Sequence, residues 1–70
     1  MLDHSERALA LEAVDMAFVE TVRHLIEQLH LGLGDSRGDT TGSQARFEAG
    51  LARAKQAREL ASASIAKMMA

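Results

Sequence analysis

The stretch HSERALALEAVDMAFVETVRHLIEQLHL, residues 4–31, decides the fold. Within it His4, Ala8, Leu11, Asp15, Phe18, Val22, Leu25 and Leu29 follow one another at alternating spacings of four and three residues. That alternation is the a/d repeat of α-helices packing at a shallow angle. A second stretch, FEAGLARAKQARELASASIAKM at residues 47–68, repeats the pattern with Phe47, Leu51, Ala54, Arg58, Ala61, Ile65 and Met68. Each apolar seam carries one charge in its interior, Asp15 in the first and Arg58 in the second. Alanine, Leu, Glu, Arg and Gln are abundant and proline is absent, so both stretches favour helix and nothing breaks it within the first.

Working outward, Asp3 is a good N-cap, and Glu6 three residues later completes a capping box. The first helix is expected over about residues 3–31. Gly32 and Gly34 supply stop signals behind His30. Residues 32–42 read as a polar connector rich in Gly and Asp. The second helix is expected over about 43–69, capped by Thr41 with Gln44 or by Ser43 alone. Gly50 inside it costs about 1 kcal/mol relative to alanine, a sign of close backbone approach. The chain is therefore expected to be one all-α domain over 1–70, a two-helix antiparallel hairpin.

The hairpin fixes a register. Setting Leu31 opposite Gly42 brings Asp15 opposite Arg58, although neither residue entered that choice. A buried or half-buried ion pair is the expectation. Stranding one of its charges would cost about 3–5 kcal/mol, and the pair would help to fix the register.

Seventy residues without a cysteine are a small basis for a core. At this size one hydrophobic core rarely supplies more than ~3–5 kcal/mol, and no disulfide framework or thiolate zinc site is available. A partner chain is the remaining source of buried surface. The off-seam apolar residues point the same way: Leu2, Leu9, Met16 and Leu60 lie away from both seams. A helix apolar on several sides is a buried one. We therefore expect a homodimer forming a four-helix bundle, with Leu9, Met16, Leu60, Ile65, Met68 and Met69 at the interface. Burial of the same residues against an unrelated protein is the alternative.

The net charge of −2 hides an asymmetry: residues 1–31 carry −4, residues 43–70 carry +3 and the connector −1. Complementary helices within one bundle explain this better than a nucleic-acid surface, which needs a dense basic stripe. Arg46, Arg53 and Lys67 do share an outer face of the second helix and would be the residues used. No apolar run approaches the ~18 residues of a membrane span. The polar, acidic start Met1–Glu6 is unlike a signal peptide, so a soluble cytoplasmic chain is expected.

Chemistry-bearing motifs are weak. Glu20, His24 and Glu27 share one helix face and define a metal-binding alternative. Thr21 stands where the Glu-x-x-His motif of di-iron bundles needs Glu, so helix-stabilising pairs on a solvated face are the better reading. Arg37-Gly38-Asp39 matches the integrin tripeptide, too short to carry meaning. The connector has neither the order of a calcium loop nor a P-loop lysine. There is no serine–histidine–acid set and no cysteine nucleophile. The sequence thus leads to a non-enzymatic regulatory or adaptor protein without a cofactor, working through helix-mediated protein contacts. A nucleic-acid-binding hairpin dimer and a metal-binding bundle are the alternatives.

Overall fold

The computed structural model describes residues 1–35 and 40–69, excluding the side chain of Met69. It is an antiparallel hairpin of α1, His4–Asp35, and α2, Thr41–Met69. The Cα trace extends 52 × 15 × 8 Å, a single layer of two helices laid side by side.

The start of α1 follows from its first residues. The Asp3 N–H donates to Glu6 Oε1 at 3.1 Å, and the Glu6 N–H donates to Asp3 Oδ1 at 2.8 Å. Two donors that a helix start leaves without partners are thereby satisfied. The Asp3 carbonyl accepts from the Arg7 N–H at 2.9 Å, beginning the helical ladder. One residue earlier the chain ties its two ends together, as the Leu2 N–H donates to the Met68 carbonyl at 3.0 Å. That bond satisfies one of the carbonyls left open at the end of α2.

At the other end the expected boundaries are corrected. The first helix does not stop at Leu31; it runs through Gly32 and Gly34 to Asp35. Gly32 serves close approach instead. A Cβ built on it would lie 2.5 Å from Ser43 Oγ and 3.2 Å from Ser43 Cβ, so any side chain there would force Ser43 to shift. The second helix begins at Thr41, with Thr40 in the N-cap position and its carbonyl accepting from the Gln44 N–H at 2.9 Å. Ser43 is therefore inside the helix, buried against α1, and is not a cap. Arg37, Gly38 and Asp39 lie outside the described residues.

The seam residues Leu11, Phe18, Val22, Leu25 and Leu29 line the inner side of α1, each half-buried. Phe47, Leu51, Ala54, Ala61 and Ile65 do the same on α2. Gly50 marks the second close approach: a Cβ there would meet Leu25 Cδ2 at 2.6 Å. His4 and Ala8, placed on the seam by spacing, are exposed.

Candidate interaction surface

The inner seam does not make a core. Among the described residues no hydrophobic side chain is buried in the single chain. Two cylinders in contact share one line of packing, and every side chain on that line keeps one flank open to water. A helix packed on one neighbour needs further neighbours before its apolar residues are enclosed.

The same geometry governs the charged pair. Arg58 Nη2 and Asp15 Oδ1 stand 2.9 Å apart, an ion pair across the hairpin. The Arg58 guanidinium carbon also lies 4.9 Å from the centroid of the Phe18 ring. The pair is only partly buried in the hairpin, so of the two expected degrees of burial the full one does not hold: the side chains of Arg58 and Asp15 are 47% and 61% exposed. It sits at the rim of the two-helix layer because the layer has no interior to hold it. Asp15 faces a shallow groove with Met16 and Val19, and Arg58 faces another with Lys55 and Glu59.

Of the residues expected at an interface, Leu9, Met16, Leu60 and Met68 are exposed, at 66%, 61%, 61% and 51%. Ile65 differs: it is half-buried in the hairpin seam. The side chain of Met69 lies outside the described residues.

The structure adds residues that the spacing argument overlooked. Val19 and Ile26 are exposed on α1 along with Leu33 near its end. Together with Leu9 and Met16 they form a row of their own. Leu9, Glu12, Met16, Val19, Arg23, Ile26, His30 and Leu33 alternate by three and four, and all but Leu33 stand one residue after a member of the inner seam. One residue is about 100° of helix rotation, so this second stripe runs beside the first along most of α1. The signal was present in the sequence and hidden by the stronger seam next to it.

The remaining candidates resolve into ordinary helix contacts. Glu20 is paired with Arg23 at 3.5 Å, and His24 Nε2 lies 3.2 Å from Gln28 Nε2. Among the described residues no group of three or more His, Asp or Glu side chains is placed to hold a metal ion. The Thr21 hydroxyl donates to the Ala17 carbonyl at 2.9 Å. On α2, Arg46 turns inward: its Nη2 donates to Ser43 Oγ at 3.3 Å, beside an open groove of roughly 330 Å³ that Leu29 and Phe47 also line. Arg53 and Lys67 form no ion pair among the described residues. Leu60 stands in the same seven-residue row as these three cations, which makes the face mixed rather than continuously basic.

No described helix is long and apolar enough to cross a membrane. Comparison of the chain with protein-family models, with curated proteins and with solved structures gave no match.

Proposed function

We propose that this chain is a non-enzymatic regulatory or adaptor protein of the cytoplasm that acts as a homo-oligomer through helix-mediated contacts. The observation that carries the reading is the absence of any buried hydrophobic side chain among the described residues, beside a row of large exposed ones. A 70-residue hairpin without a core has little to offset the conformational entropy of folding. Association supplies the missing burial, and surfaces left outside the assembly remain for other proteins. The grooves are shallow and open, unlike the concave sites that enclose small substrates.

The test is thermal unfolding as a function of protein concentration. Folding coupled to association makes the midpoint rise with concentration by mass action. A midpoint unchanged over a hundredfold range would contradict the oligomeric reading and leave the exposed row to a different protein.

A further inference from the structure

We infer that the outer stripe of α1 is a self-complementary surface, built to pack antiparallel against the same stripe of a second copy. The inference rests on the proposed homo-oligomer and specifies its interface.

Register carries the match. Two copies of a helix related by a two-fold axis pair residues whose numbers have a constant sum. If the axis passes between Met16 and Val19, Met16 of one copy meets Val19 of the other, and Leu9 meets Ile26. All four are large, apolar and more than half exposed in the single chain. The same register sets Glu12 opposite Arg23 of the second copy, twice, once on each side of the axis. These are the two strongly charged members of the stripe, of opposite sign, and they stand at equal distances from the axis.

Other arrangements lose this match. Sliding one helix by a heptad sets Arg23 against Val19 in one direction and against Ser5 in the other. A parallel, in-register pairing sets Glu12 against Glu12 and Arg23 against Arg23. Like charges across an interface cost affinity and select against that arrangement. Of these arrangements only the antiparallel register about Met16 and Val19 joins apolar to apolar and acid to base from Leu9 to Ile26.

Two features of the hairpin agree with the placement. Among the described residues the ion-pair partner of Arg23 is Glu20 on its own helix, at 3.5 Å and with both side chains about two-thirds exposed, so Arg23 can turn to a partner at little cost. Asp15 lines the groove beside Met16 and Val19, so a second copy seated there also covers the exposed flank of its carboxylate.

The experiment uses charge reversal in the full chain, with association followed by sedimentation and helicity by circular dichroism. Glu12→Arg alone sets two cations against each other at both contacts, and Arg23→Glu alone sets two anions. Each single variant should self-associate at least about tenfold more weakly than the native chain. An equimolar mixture of E12R and R23E should associate with near-native affinity, because both cross-pairs are again of opposite sign. The double variant E12R/R23E should likewise recover self-association. If a single variant is too weakly assembled to fold alone, the mixture must regain helicity. Single variants that self-associate like the native chain, or a mixture no tighter than its components, would overturn the register. A native chain that stays monomeric at all concentrations would defeat the homo-oligomer as well. A native dimer indifferent to charge reversal would defeat only the interface assigned here.

Discussion

Arg58 reaches from the second helix to Asp15 on the first, closing a 2.9 Å ion pair that ties the two seams at one level. The guanidinium does a second thing there, lying 4.9 Å from the centre of the Phe18 ring. One cation thus bridges a carboxylate and an aromatic face three residues apart on the opposite helix, and its loss should cost more than the loss of the acid. Because both side chains are about half exposed, the ion pair contributes only ~0.2–1 kcal/mol, and the cation–π contact adds ~0.5–1 kcal/mol. Urea denaturation should show Arg58→Ala destabilising by about 1–1.5 kcal/mol and Asp15→Ala by about 0.5 kcal/mol, with the double variant less than additive. Near 1 M salt, where the screening length is ~3 Å, the Asp15→Ala effect should shrink while the aromatic part of the Arg58→Ala effect persists. Equal and additive losses would mean that the pair is not a coupled unit.

The helical glycines differ in what surrounds them. At Gly50 a Cβ would meet Leu25 Cδ2 at 2.6 Å, and at Gly32 it would meet Ser43 Oγ at 2.5 Å. Nothing lies within 4 Å of a Cβ at Gly34. Alanine gains about 1 kcal/mol over glycine in a helix, but forcing extra volume into a close contact costs ~1–3 kcal/mol. Gly34→Ala should therefore raise the unfolding midpoint, and Gly32→Ala should lower it. Gly50→Ala should be neutral to destabilising, with the balance set by how far the Leu25 methyl can swing aside. Stabilisation by all three substitutions would show that the helices do not approach as closely as described.

The N-terminal capping box offers a local check on α1. Asp3 and Glu6 exchange backbone-to-carboxylate hydrogen bonds at 3.1 and 2.8 Å. Asp3→Ala should cost about 1 kcal/mol, and Asp3→Ser should retain most of that, since a hydroxyl can accept the Glu6 N–H. Ser43→Ala should behave differently from a cap substitution. It removes a hydroxyl that accepts from Arg46 at 3.3 Å inside a tight helix contact. Amide exchange should report the Asp3→Ala change as faster exchange confined to the first turn of α1.

The exposed row should control assembly without being needed for helix propensity. Replacing Val19 and Ile26 by serine removes apolar area from the outer stripe and leaves the inner seam intact. Each side chain lost from a buried interface position weakens association by roughly tenfold or more, at ~1.5–3 kcal/mol per fully buried residue. The doubly substituted chain should need correspondingly higher concentration to reach the same helicity. Unaltered concentration dependence would move the interface elsewhere, to the Leu60 side of the hairpin.

Much of the fold was legible because a heptad repeat states both the helix and the face it buries. The opposition of Asp15 and Arg58 followed from loop position and register alone, and Gly50 announced its close contact through its helix cost. What the sequence hid was hidden for physical reasons. Gly32 and Gly34 look like stops, since glycine at a helix end and glycine under a crossing helix share the same letter. The helix runs through Gly32, where Ser43 of the facing helix approaches closely. The exposure of the charged pair is a property of the two-helix layer, which no local pattern reveals. Val19 and Ile26 escaped notice because a stripe displaced by one residue is masked by the stronger seam beside it. The stacking of Arg58 on Phe18 depends on a rotamer choice that spacing cannot specify.

The central claim is that this hairpin completes its core with a second copy of itself. Sedimentation equilibrium of the native chain, with circular dichroism on the same samples across a wide concentration range, tests it most directly. The expected species has twice the 7.6 kDa chain mass, and its helicity falls as dilution dissociates it. A fully helical monomer at every concentration would contradict it.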